Sequence, residues 1–241
     1  MEENEFIAAL DRDSAAFVDA CEIAGMTTAV APCPGWAVAD LLWHLTEVHH
    51  FWATIVAERK DDRKGYAQPA RPADEALAEM YRQGREYLLT ALAGADASTP
   101  VWTWADDHTA GFVIRRMAHE TAVHLWDATE AAGMVNPLEP TLASDGIDEF
   151  LTHMLGDVVE GAEPVAGSVH LHCGDVPGEW TVRETDAGFA VVREHSKGDC
   201  AIRGSASDIL LALWRRVPLS RCDVVGDGDV AARFIAHTSL K

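Results

Sequence analysis

Two imidazoles and one carboxylate can hold a divalent metal ion if the fold brings them to a common point. The segment RRMAHETAVHLWDA supplies Glu120 and His124, four residues apart. On a helix two such residues sit about 40° apart around the axis and project to one side. Val113, Met117 and Ala131 share that side, so it faces inward. His44 interrupts a second apolar stripe, made of Leu41, Leu45, Val48, Trp52 and Ile55. Burying these three side chains without a partner is costly, and a shared cation removes the cost. The donor set suits Zn²⁺ or another first-row divalent ion, and three protein ligands leave a coordination position open for chemistry. The competing reading is that each histidine is an ordinary core residue satisfied by a hydrogen bond.

The neighbouring residues read differently. His119 and His124 are five apart, about 140° around a helix, so the segment is no HExxH motif and His119 faces an interface or solvent. Asp127 is either an acceptor behind His124 or a solvated acid. His49 and His50 lie off the His44 stripe and read as non-ligands. Arg115 and Arg116 serve the bundle or bind an anion, with the structural role preferred. Trp102 and Trp104 either line a cavity mouth or pack in the interior, the commoner use of such residues.

The elements that must position these groups follow from periodicity. Helices are predicted over 4–25, from Trp36 to about Arg59, from about Ala73 to Leu92, over 111–132, and from about Thr141 to Glu160. After Gly161 the texture changes to SVHLHC, EWTVRE, GFAVVREH and CAIRG, four short strand-like runs between turn residues. Ser205 with Asp208 three residues on resembles a capping box and opens a further helix. CDVVGDG reads as a strand and turn, and a last helix starts at Asp229. The expected fold class is α+β: a helical bundle over residues 1–160, then a small α/β domain over 161–241.

Composition narrows the function. A formal charge of −20 repels phosphate backbones and anionic lipid surfaces, which argues against nucleic acid or membrane as partner. An anionic substrate would need locally placed arginines. Cys21, Cys33, Cys173, Cys200 and Cys222 form no close pair, as expected of free thiols in a reducing, cytoplasmic setting. The acidic start, MEENEFIAALDRD, lacks the basic and apolar regions of a signal peptide, and no run approaches 18 apolar residues.

The segments PCPGWAVADLLWHLTEVHHFWA, VWTWADDHTAGFVIRRMAHETAVHLWDA and LASDGIDEFL closely resemble the mycothiol-dependent maleylpyruvate isomerase family. The resemblance runs from about residue 10 to 240 and is strongest over the first 155 residues. It implies a DinB-like four-helix bundle followed by a small α/β domain like that of sterol carrier proteins. It implies that the metal ligands are the histidine of the second helix and the glutamate and second histidine of an HExxxH-like segment. These match His44, Glu120 and His124. It implies mycothiol, a low-molecular-weight thiol, as cofactor or co-substrate. LALWRRVPLS resembles the family's C-terminal helix, whose arginine is thought to reach the substrate's carboxylate. Arg216 aligns best with it, by its position just after Trp214 and before the Val-Pro break, and Arg215 less well; the chain departs from the family at Arg215, where the family often has glycine.

The leading expectation is therefore a metal- and mycothiol-dependent isomerase or S-transferase acting on a small electrophilic substrate. The alternatives are a metal-dependent hydrolase, with water in place of the thiol, and a non-catalytic metal-binding or regulatory module.

Overall fold

The computed structural model describes residues 1–134 and 136–240, which form two compact units, one ending at Asn136 and the other beginning at Pro137. In the first unit four long helices make a bundle: α1 (Glu3–Ala24), α2 (Val38–Ala57), α3 (Asp74–Ala93) and α4 (Ala110–Ala131). At α2 and α4 a local side-chain acceptor meets a backbone donor at the start of the helix. The Asp40 carboxylate accepts from the Ala37 N–H at 3.0 Å, and Thr109 Oγ1 accepts from the Phe112 N–H at 3.3 Å. The helices pack α1 on α4 and α2 on α3. Phe17, Leu41, Leu42, Leu45, Leu77, Tyr81, Leu125 and Ala128 fill the core between them. Among the described residues no helix is long and apolar enough to cross a membrane, and none of the five cysteines is in a disulfide.

The second unit starts earlier than the sequence suggests. The expected boundary near residue 161 gives way to one at Pro137, and the helix expected to run to Glu160 is α5 (Pro140–Glu149), prolonged by one π-helical turn over Phe150–Met154. The hydrogen bonds of this helix and of Leu138 just before it explain the shift. The Leu138 N–H donates to Ser207 Oγ at 3.0 Å, and Ser144 Oγ donates to the Pro177 carbonyl at 2.9 Å. The Asp148 carboxylate accepts from Trp180 Nε1 at 2.9 Å and from Arg193. Every one of these partners lies downstream of residue 161, so α5 folds with the sheet.

That sheet has five strands: β1 (Ser168–Cys173), β2 (Glu179–Thr185), β3 (Gly188–Val192), β4 (Cys200–Gly204) and β5 (Asp223–Gly226), in the order β3-β2-β1-β4-β5. All neighbours are antiparallel except β1 and β4, which run parallel. Helices α6 (Ala206–Leu213) and α7 (Gly228–His237) pack against the two central strands, β1 and β4. The expected Ser205 cap is present. Its hydroxyl accepts from the Asp208 N–H at 3.1 Å and donates to the Asp208 carboxylate at 2.9 Å.

Two of the positions with a positive φ matter for the second unit. Arg215, where the resembling family often has glycine, has φ of 55° just after α6, the conformation in which glycine usually ends a helix. Gly226 ends β5 with φ of 96°, and a Cβ built there would lie 2.4 Å from the Asp199 carbonyl oxygen. Both strain and overlap oppose any side chain at Gly226. Gly226→Ala is therefore expected to destabilise the second unit by about 2–4 kcal/mol, read as a lower urea midpoint. A loss below about 0.5 kcal/mol, the usual range of a surface change, would show that the edge relaxes freely.

Candidate metal centre

Helices α2 and α4 bring His44, Glu120 and His124 together, as their spacing predicts, with their three ligand atoms all within 4.8 Å of one another. His44 Nε2 and His124 Nε2 each stand 3.3 Å from the same carboxylate oxygen, Glu120 Oε1. The two rings meet edge to face with centroids 5.0 Å apart. Trp36, just ahead of α2, packs its indole against the His44 ring at 5.1 Å.

Each side chain has a support behind it. Arg116, one turn before Glu120 on α4, pairs with the other carboxylate oxygen, Oε2, so Oε1 is left to the imidazoles. Asp127, fully buried one turn after His124, accepts from His124 Nδ1–H at 2.9 Å. That bond fixes the ring and directs Nε2 toward Glu120. Asp127 is therefore the acceptor of the two sequence readings, not the solvated acid. Arg116 takes the structural role expected for the arginine pair. Its specific task, holding one oxygen of Glu120, was not foreseen, although its i, i+4 spacing to Glu120 carried the signal.

The electrostatics are those of a cation site. Burial would raise the Glu120 carboxyl, but the Arg116 guanidinium and the two imidazoles outweigh it and hold the group well below the usual carboxylate range. Burial would likewise depress His124, yet its bonds to Asp127 and Glu120 push it up to about 9. The field that favours a proton on His124 favours any cation at that point.

The donor set also fits a metal by separation. Two ligand atoms about 2.0–2.2 Å from a tetrahedral ion stand about 3.3–3.6 Å apart. The two measured donor separations of 3.3 Å lie at the short end of that range. The His44 side chain is 33% exposed, against 8% for His124, so the group is reached from the His44 side.

The remaining sequence candidates fall elsewhere. His119 is buried, not solvated, with its ring edge-on to Phe6 of α1 at 5.7 Å. His50 Nδ1 is 2.9 Å from the Tyr66 hydroxyl, and His49 Nε2 is 3.0 Å from Thr121 Oγ1, while the buried His49 Nδ1 has no hydrogen-bond partner. Trp102 stacks on Trp52 at 6.0 Å, whereas Trp104 is exposed, with its ring edge-on to Phe112. Arg216 belongs to the second unit. It is half-buried, Nη1 donates to the Trp214 carbonyl at 3.1 Å, and its guanidinium lies 5.9 Å from the Trp214 ring centroid. Arg215 instead donates to the Thr238 carbonyl.

Residues 7–129 match the family model described as the mycothiol maleylpyruvate isomerase N-terminal domain, and residues 141–233 match the model of the C-terminal domain. The division at Pro137 falls in the gap between the two ranges. Two solved structures share the fold: a mycothiol-dependent maleylpyruvate isomerase, and a variant of that enzyme with a histidine replaced by alanine. They superpose with TM-scores of 0.59 and 0.60 at 11% identity, over 88% of this chain and 88% of theirs. No curated protein matches the chain.

His49 provides a pH test of the bundle around the centre. Full burial pushes its imidazole down to about 3. An unfolded histidine titrates near 6.5. Above that pH the ring is neutral in both states; below it the unfolded chain takes up a proton that the folded chain refuses. Stability of the metal-free chain should thus fall as pH drops from about 6.5 toward 3, with His49 contributing up to about 1.4 kcal/mol per pH unit. His49→Gln should flatten that slope in urea melts at several pH values; an unchanged slope would assign the proton to another group.

Proposed function

The chain belongs to the mycothiol maleylpyruvate isomerase family, and from that premise we propose that it is a mycothiol-using enzyme whose divalent metal is held by His44, Glu120 and His124. The reaction is isomerisation of a small electrophilic substrate or transfer of the thiol to it. The observation that carries this reading is the convergence of two imidazoles on one oxygen of a carboxylate whose other oxygen is already paired to Arg116.

A divalent ion with an open position can bind a thiol and lower its pKa, which supplies a thiolate nucleophile at neutral pH. Addition of a thiol to a cis-enedioic substrate, bond rotation and elimination give isomerisation; with an alkyl or epoxide electrophile the sulfur stays and the outcome is conjugation. The chain's own residues prepare the centre. Asp127 keeps the proton of His124 on Nδ1, so the Nε2 lone pair faces the ligand position. Arg116 holds Glu120 ionised and oriented, and makes it a weaker base than a free carboxylate. The partly exposed His44 side admits small molecules, while Trp36 limits the freedom of that ring. For a substrate carboxylate, Arg216 is the proposed partner. A planar guanidinium offers bidentate recognition, and a chain of net charge −20 otherwise discourages anions.

Purified protein is expected to carry a divalent ion in the bundle. His44→Ala or His124→Ala should lose that ion, Glu120→Gln should weaken it, and His119→Ala should leave it in place. Metal content measured by mass spectrometry decides this; an ion that ignores Glu120 and follows His119 overturns the assignment.

Turnover of maleylpyruvate or a generic electrophile should require added mycothiol. Arg216→Ala should reduce kcat/KM for a carboxylate substrate about ten- to a hundred-fold, the worth of one charge-assisted hydrogen bond of about 1.5–3 kcal/mol, with metal content unchanged. Full turnover without thiol would favour the hydrolase reading, and an unaffected Arg216→Ala enzyme would move the carboxylate contact to another arginine.

A further inference from the structure

The five-stranded sheet of the second unit carries a second group of ligand-type side chains. Along β1, His170 and His172 alternate with Val169 and Leu171, so the two imidazoles share one face and the two aliphatic groups take the other. The antiparallel register sets Glu179 of β2 directly opposite His172 and Thr181 opposite His170. Thr181 Oγ1 donates to the Glu194 carbonyl at 3.4 Å, which draws in the segment beyond β3 and delivers His195 to the same face.

The four side chains converge. One ligand atom from each lies within 4.8 Å of all the others. His195 Nδ1 is 3.0 Å from Glu179 Oε2, His172 Nδ1 is 2.7 Å from Glu179 Oε1, and His170 Nε2 is 3.7 Å from Glu179 Oε2. The His170 ring stands perpendicular to that of His195, with centroids 4.9 Å apart. A single carboxylate thus faces three imidazoles, and only His195 is hydrogen-bonded to it. His170 is 4% exposed in its side chain, and its Nε2, aimed at Glu179, has no hydrogen-bond partner. His172 Nδ1 is close to Glu179 but lies outside hydrogen-bond alignment. A buried ring nitrogen is rarely left in that state, because its water shell is lost with nothing gained in exchange.

We propose that His170, His172, Glu179 and His195 form a second divalent-metal site, suited to Zn²⁺ and closed by four protein ligands. Three imidazole nitrogens and one carboxylate oxygen are the donor chemistry of zinc, and four protein ligands leave no position for substrate. Its role is structural. One ion ties the central strand β1 to β2 and to the irregular run between β3 and β4. His195, 71% exposed, provides the side from which the ion enters and the last ligand to close. None of the four residues belongs to the bundle centre, so the two sites stand or fall separately.

The test uses the full chain stripped with a chelator, reloaded with zinc chloride, gel-filtered and assayed for zinc per chain. A His44→Ala/His124→Ala variant should still retain one zinc, and adding His195→Ala to it should remove that zinc. His195 is exposed and follows β3, so this change leaves the core intact, and circular dichroism checks the fold. Glu179→Gln provides a second route to the same loss. Zinc should also raise the melting temperature of the His44→Ala/His124→Ala protein, and the rise should vanish with His195→Ala. The proposal is overturned if the His44→Ala/His124→Ala protein retains no zinc, or if its zinc survives both His195→Ala and Glu179→Gln. Loss of the bundle ion alone leaves the sheet site untouched.

Discussion

A carboxylate survives inside a helical bundle only while both of its oxygens face positive partners. Glu120 meets that condition with Arg116 on one oxygen and two imidazoles on the other. Three of the four participants, and Asp127 behind them, lie on α4 at steps of three and four, so one helix supplies most of the arrangement. His44 is the exception and fixes how α2 must face α4. Leu41, Leu45, Leu125 and Ala128 then surround a polar line that they cannot themselves satisfy. Removing one member of such a buried ionic group costs about 3–5 kcal/mol, because the remaining charge stays buried. The bundle is therefore committed to this polar group before any ligand arrives.

The same ligand types recur on the sheet with a different geometry. A helix repeats a face every three or four residues and a strand every two, so Glu120 with His124 and His170 with His172 are two versions of one device. The bundle group draws on only three side chains and is reached through the exposed edge of His44. The sheet group draws on four from three successive stretches of chain. An open set suits chemistry; a closed one suits reinforcement.

These differences decide what could be read from the residues alone. His44, Glu120 and His124 were legible because each interrupts an apolar helical stripe, a pattern contained within one helix. The strands were legible for the same reason, and four of them fall where alternation placed them. The HxH in SVHLHC was visible too, but Glu179 and His195 join it only through strand register, which no local pattern encodes. The boundary near residue 161 failed for a related reason. α5 has the periodicity of a bundle helix, and what assigns it to the second unit is its bonding to Pro177, Trp180 and Arg193, with the bond of Leu138 just before it to Ser207. His119 turns away from the ligands as helical arithmetic requires, and only the fold decides between the two readings left open for it: it meets Phe6 of α1 and not water.

The parallel pairing of β1 with β4 has a kinetic consequence. β2 folds back on β1 and β3 on β2, each as an antiparallel neighbour joined by a short turn that closes quickly. β4 reaches β1 only after the chain has passed through that whole meander, and β5 can pair only once β4 is in place. Loop-closure entropy makes such distant pairing slow, and until it occurs the far edge of β1 stands open. Assembly of the second unit should thus proceed from the β1–β3 meander outward. The exposed edge of β1 is where a newly made chain is most prone to pair with the wrong partner.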